Sequence, residues 1–327
     1  MDKFFTELKS RIESEAKKIG DCKRNDHYVP KLLLKNFALS EKDGRKTGLI
    51  FQYKRGGGKV ERKSIRKKAA CEIGFYDTIN KLSKKPDNLA DRLNQITESE
   101  VARVIEKLNS EDNLHLANRE ENILAAFVAE LYTRTPAFRE QIKRYLLYLI
   151  ENKIIKKEDL GEEKIIEEIF FEDKLKIKTK KLIKFKPTME LEFRTNSLLI
   201  VIAFAIAARL SKKLFFRNIN ILNSSSGSFL IGDSPVFSSN LRDYPRWPLG
   251  WDFKKDDAIF LPISPSRCLV YDRRKFKNKL VRAKKSLVNF INFSQIINAE
   301  SYIYSNESRE YIQECLNSTK KMREYAF

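Results

Sequence analysis

The chain has 327 residues, 42% of them hydrophobic, and carries 64 Lys and Arg against 44 Asp and Glu, a net charge of +20. That length and apolar content support a sizeable core and exclude wholesale disorder. The basic excess attracts polyanions by Coulomb steering and counterion release, or is no more than a Lys-rich solvated surface.

The opening MDKFFTELKSRIESEAKKIG puts Phe5, Leu8, Ile12, Ala16 and Ile19 on one helical face and has no leader-peptide pattern. NDHYVPKLLLKNF (25–37) follows. Asn25 or Asp26 can cap a helix there, with Pro30 early in it and Leu33, Leu34 and Phe37 facing the core. His27 is then either a half-buried hydrogen-bonded side chain or a reactive imidazole. GLIFQYKRGGGKVERKSI (48–65) reads as two strands joined at Gly56, Gly57 and Gly58. It lacks the GxxxxGK[ST] pattern of a phosphate-cradling loop.

From Pro86 to about Phe171 the pattern is helical, with a break expected near Thr135 because Pro136 keeps its predecessor out of the helical region. A charge-dense insertion or arm is expected near 151–190. LLIVIAFAIAARL holds 11 apolar residues, Leu198 to Ala208, well short of the roughly 20 that span a bilayer. It reads as a buried core helix, and no membrane association is expected. Strands and turns follow in GSFLIGDSPVFSS (227–239) and AIFLPISPSRCLVYDR (258–273), then a helix-like SLVNFINFSQIINAESYIYS (286–305). The expected fold is a single α+β domain over 1–327. Its helical middle packs on a smaller, mainly antiparallel sheet formed by the N-terminal hairpin and the C-terminal strands.

Cys22, Cys71, Cys268 and Cys315 form no CxxC pair and no metal-type spacing, which suggests packing roles in a reducing cytoplasm. Basic residues cluster at 54–68, starting with Lys54 and Arg55, at 174–186 and at 273–285. They are candidate contacts for nucleic acid. YPRWPLGWDF (244–253) is either a stacking loop or one packed down by its own aromatics.

Among single residues, Thr97 can cap and Glu98 and Glu100 can serve a helix dipole, a structural reading that needs no site. Arg134 lies four residues after Glu130, as in an ordinary helical ion pair, yet it ends an apolar segment where a guanidinium must find acceptors. Asp233 in GDSPV sits at a strand end, either as a ligand-binding carboxylate or as an Asx-turn, with Gly232 permitting close backbone approach.

DHYVPKLLLKNF, the FY of GFYD (Phe75, Tyr76), Glu98, TRTP with Arg134, GDSPV, LPISP and the Asn-containing C-terminal stretch occur in this order. Together they resemble the bacterial family known as domain of unknown function 4238. The resemblance implies that His27, Tyr28, Glu98, Arg134, Asp233 and Asn289 or Asn292 match recurrent polar positions. Four such residues from distant segments suggest a convergent site for phosphodiester hydrolysis. Glu98 and Asp233 would hold a divalent metal (Mg or Mn), Arg134 would neutralise developing charge and His27 would move a proton. A metal-free ribonuclease with His27 as base is the variant of that reading. Tyr28, Lys54, Arg55, Asn289 and Asn292 would bind substrate. The expectation is a nucleic-acid hydrolase, RNA before DNA, serving as a toxin or anti-phage effector with a regulatory protein partner. The alternative is a non-catalytic nucleic-acid- or protein-binding module whose polar residues form a structural network.

Overall fold

The structure is a computed structural model that describes Ser14 and residues 25–41, 43–55, 59–79, 86–112, 115–153, 197–225, 227–238, 258–272 and 279–316. The N-terminal amphipathic segment, the three glycines, Cys22, the charged stretch near 151–190 beyond 153, the basic run 174–186 and the tryptophan-containing loop lie outside those residues.

Strand β1 (Asn25–His27) pairs antiparallel with β4 (Cys71–Ile73), His27 opposite Cys71. Helix α1 (Lys31–Asn36) follows, and it starts later than a cap at Asn25 or Asp26 would place it, with Pro30 before the helix and not inside it. Pro30 is its N-cap in an extended conformation, and its carbonyl accepts the amides of Leu33 and Leu34. Asn25 and Asp26 do not cap it, since both belong to β1. The hairpin of β2 (Leu49–Lys54) and β3 (Glu61–Ser64) forms as expected. A short pair, β5 (Thr78–Ile79) and β6 (Pro86–Asp87), leads into the helices.

Helix α2 spans Leu89–Ser110, α3 Asn118–Thr133, α4 Pro136–Glu151 and α5 Ser197–Phe215. Asn88 precedes the first helix, so Thr97 and Glu98 sit well inside α2 and not in a first turn. The 3.6-residue period of Ile96, Val101, Val104, Ile105 and Leu108 explains why, since one apolar face runs on through the acidic patch. Pro136 separates α3 from α4, opening the second helix where its missing N–H costs nothing. Helix α5 is the LLIVIAFAIAARL segment, and it lies against α3. Leu124, Phe127, Val128 and Leu131 meet Leu199, Ile202 and Leu210 in one core. Each such buried side chain contributes about 1.5–3 kcal/mol relative to exposure. Among the described residues no helix is long and apolar enough to cross a membrane.

The remaining strands are β7 (Asn218–Ser224), β8 (Ile231–Gly232), β9 (Phe237–Ser238), β10 (Ile259–Pro262), β11 (Arg267–Asp272), β12 (Lys279–Ala283) and β13 (Tyr302–Ser305). Helix α6 (Lys285–Asn298) precedes β13. Where one sheet was expected, there are two larger ones. The hairpin joins C-terminal strands in the order β3-β2-β13-β8, and a five-stranded sheet runs β12-β7-β11-β10-β9. Pairing within both is antiparallel except β12 with β7. The fold class is α+β. Along β11, Leu269 and Tyr271 face the helical core while Cys268 and Val270 face a second cluster under α6. This period of two buries the strand on both faces. Cys268 is buried, whereas Cys71 and Cys315 are only half-buried, and all three are free thiols.

Candidate functional site

The polar residues singled out in the sequence divide between two regions. One lies among the helices. Glu98 and Asn94, four residues apart on α2, share a face. Arg134 caps the C-terminus of α3, and its guanidinium reaches three acceptors. Nε donates to Tyr28 O at 3.1 Å, one terminal nitrogen to Glu130 Oε1 at 3.1 Å and the other to Glu98 Oε1 at 2.9 Å. The ordinary i,i+4 pair is present, with a second carboxylate added from another helix. Arg134 is buried, and the neighbouring Tyr76, Glu98 and Glu130 outweigh desolvation to hold its pKa above the ordinary value. Burial pushes the Glu130 carboxyl up to about 7, against the pull of Arg134 and a bond from Thr97.

Beside this cluster a small, partly open cavity of about 20 Å³ is lined by Tyr76, Asn94, Glu130, Thr133, Arg134 and Arg139, with the apolar wall supplied by α5. Arg139 comes from the first turns of α4, and its guanidinium carbon lies 3.3 Å from the Phe75 ring centre and 5.5 Å from that of Tyr76. Phe75 and Tyr76 pack edge to face, and Tyr28 packs on Phe75. Asp26 accepts the Tyr76 amide at 2.9 Å, which fixes the aromatic pair beneath the arginine. Burial lowers the Arg139 pKa to about 10 and raises that of the Tyr76 hydroxyl.

His27 backs onto this region without entering it. Its Nε2–H donates to Ile65 O at 2.9 Å, and Nδ1 lies 3.2 Å from Asn25 O. Both ring nitrogens therefore face main-chain carbonyls, and burial lowers its pKa against the pull of those two carbonyls. Tyr28 presents its carbonyl to Arg134 and its hydroxyl to Tyr304, whose own oxygen accepts the Ala70 amide at 2.9 Å.

The second region joins α6 to the strands. Asp233 is wholly buried, and its carboxylate accepts the amides of Glu300, Ser301 and Tyr302 at 2.7, 2.6 and 2.8 Å. Burial raises its pKa to about 6 despite those donors, so it is ionised at neutral pH. This is a long-range cap on the turn into β13 rather than an Asx-turn. Asn292 accepts the Leu230 amide and donates to Ser228 O, both at 2.9 Å, while Gln295 accepts the Gly232 amide and donates to Pro235 O. A β-carbon on Gly232 would sit 3.1 Å from Gln295 Oε1, which explains the glycine. Arg55 donates to the carbonyls of Ile296 and Ile297 at the end of α6, where a cation suits the helix terminus. Lys54 and Asn289 are exposed.

Thus Glu98 and Arg134 meet, His27 is bonded nearby to main chain, and Asp233 belongs to a different network. Among the described residues no three His, Cys, Asp or Glu side chains are grouped to hold a metal ion. Sequence reasoning passed over Glu130 as a site residue, and over Asn94, Tyr76 and Arg139. Only the FY pair and the Glu130–Arg134 spacing carried a signal for them.

No curated protein and no solved structure matches the chain. The family model described as protein of unknown function (DUF4238) matches residues 25–309. HYVP, FY, Glu98, RTP and GDSPV, the segments that build both networks, all fall within that match, and the chain belongs to the DUF4238 family.

Proposed function

We propose that the protein is a hydrolase of nucleic-acid phosphodiester bonds, RNA before DNA, working in the cytoplasm as a toxin or anti-phage effector restrained by a protein partner. The observation that carries the reading is the Glu98–Arg134–Glu130 cluster, whose buried Arg134 and Glu130 help to line a small, partly open cavity. A carboxyl with a pKa near neutrality can take and return a proton, which is the task of a general base. Glu130 is the better candidate for that role than His27, whose nitrogens face carbonyls. Arg134 acts as a positioning residue, since its donors are spent on Tyr28, Glu130 and Glu98. The exposed basic residues of the β2–β3 hairpin would track the phosphate backbone. Glu98, 24% exposed at its side chain, could offer its second oxygen to Mg or Mn.

The test is incubation of purified protein with varied RNA and DNA in Mg, in Mn and in chelator. Cleavage by wild type that Glu130→Gln abolishes, with unfolding midpoint retained, supports the reading. Substrates left intact by wild type under every condition overturn it.

A second reading, a non-catalytic binding module, is favoured by the complete use of Asp233 and Asn292 in backbone bonds. It predicts salt-sensitive nucleic-acid binding without turnover.

A further inference from the structure

The buried arginines of this fold differ in one respect. Arg134 has three acceptors, and Arg267 donates to the carbonyls of Leu108 and Glu111 and to Asp112. Arg139 is 7% exposed, and among the described residues its guanidinium makes no hydrogen bond or ion pair; it stacks on the Phe75 and Tyr76 rings and feels the Glu72 and Asp26 carboxylates without direct contact. Two other side chains at the same cavity are also unmatched. The Tyr76 hydroxyl and both amide atoms of Asn94 are buried without a hydrogen-bond partner, at 3% and 2% residue exposure. Unmatched buried polar groups are rare and costly, and three of them around one cavity share a single explanation.

We propose that this cavity is a subsite for a phosphate group, with Arg139, Tyr76 and Asn94 as its donors. A guanidinium fork donates two parallel N–H bonds to an oxyanion, and an amide NH₂ and a phenolic O–H complete the shell. The Arg139 charge is the less compensated of the two at this cavity, because Arg134 is ion-paired with Glu98 and Glu130 while Asp26 and Glu72 act on Arg139 without an ion pair. The room, about 20 Å³, takes one water or the leading oxygens of an oxyanion and is too small for a base or a sugar. A pocket of that size suits a chain end rather than a strand passing through. This rests on the hydrolase reading for its substrate: the subsite would hold a terminal phosphate of the nucleic acid, with Glu130 serving the adjacent bond.

The experiment is calorimetric titration of the full chain with inorganic phosphate, with acetate and chloride at matched ionic strength as controls. Phosphate is expected to bind wild type, and Arg139→Met to weaken it about tenfold or more. Arg139→Lys, which keeps the charge, should retain part of it. Tyr76→Phe removes an unpartnered hydroxyl and leaves the ring platform, so it should fold normally and bind severalfold more weakly. No phosphate binding by wild type, equal binding of acetate, or binding unchanged in both Arg139→Met and Tyr76→Phe overturns the subsite. Cleavage is a separate readout: cleavage without phosphate binding removes only the subsite, and phosphate binding without cleavage removes only the hydrolase.

Discussion

Asp233→Asn separates a scaffold role from a chemical one. The carboxylate takes three amide hydrogens from successive residues, Glu300 on Oδ1 and Ser301 and Tyr302 on Oδ2. The bond in return, Asp233 N–H to Tyr302 O at 3.0 Å, locks GDSPV onto β13. Asparagine keeps one oxygen. Turned towards Ser301 and Tyr302, it retains two bonds without charge assistance and sets its NH₂ against the Glu300 amide. One charged bond is worth about 1.5–3 kcal/mol and a neutral one about 0.5–1.5, so losing one and weakening two costs roughly 3.5–6 kcal/mol before relief of the buried charge. Burial already opposes ionisation, since the carboxyl sits near 6 rather than its usual value, and this offsets part of the loss. The expected cost is about 2–4 kcal/mol, read as a lower urea midpoint at neutral pH with an unchanged slope. An Asp233→Asn protein that unfolds at the wild-type midpoint, yet no longer cleaves nucleic acid, would refute the scaffold argument and return Asp233 to the reaction.

Burial raises the carboxyls of Glu130 and Asp26 to about 7 and about 6. Both hold protons longer folded than unfolded, so the stability they contribute is full below about pH 4 and is lost as pH rises to about 7. Glu130→Gln should flatten that fall in urea titrations across pH, and a slope identical to wild type would contradict the assigned burial. If Glu130 is the base, cleavage should rise with pH through about 7, and a rate that falls over that range would exclude it in this role. Gly232→Ala should cost about 1–3 kcal/mol in urea unfolding, because its β-carbon meets Gln295 Oε1 at 3.1 Å and Ile303 Cδ1 at 3.3 Å. Replacing Arg62 on the hairpin and Lys67 and Lys68 in the turn after it with Ala should reduce the log–log salt slope of RNA binding, by about 0.7 per lost phosphate contact. A flat salt response in wild type would remove the hairpin from any binding face.

Features set by local pattern were legible in the sequence. Pro136 marked the α3–α4 junction, alternation marked β2 and β3, and an unbroken apolar run marked α5. The helical stretch from Pro86 agrees with α2, but the Thr97 cap does not, because a capping signature within a continuing apolar period looks like a first turn. The candidate site was harder, for a reason of contact range. Asp233 works on residues 67 to 69 positions away, and Arg134 reaches Glu98 across 36. No local rule distinguishes such a carboxylate from an Asx-turn. Arg139 carried no signal at all, since an arginine in a polar helix turn normally points to water. Its burial comes from the GFYD aromatics and from α5, both remote in sequence.

The polar side chains of these two regions therefore belong to two classes that respond to mutation differently. The Asp233, Asn292, Gln295 and Arg55 side chains bond main-chain groups between α6 and the sheets. His27 does the same between β1 and the segment after β3. Loss of any of them leaves a buried backbone group unpaired, so its first effect is on stability. Tyr76, Asn94 and Arg139 stand opposite: the Tyr76 hydroxyl and the Asn94 amide are buried without a hydrogen-bond partner, and the Arg139 guanidinium makes no hydrogen bond or ion pair among the described residues, so hydrogen bonding within the fold gives no reason for their polarity. Keeping an unpaired guanidinium in a core costs several kcal/mol of desolvation, against about 2 kcal/mol from stacking on an aromatic face. Arg139→Met should accordingly raise the urea midpoint while it removes phosphate binding. A residue whose removal stabilises the fold and disables a ligand site is held there by function, and that pair of signs would place the chemistry at α4.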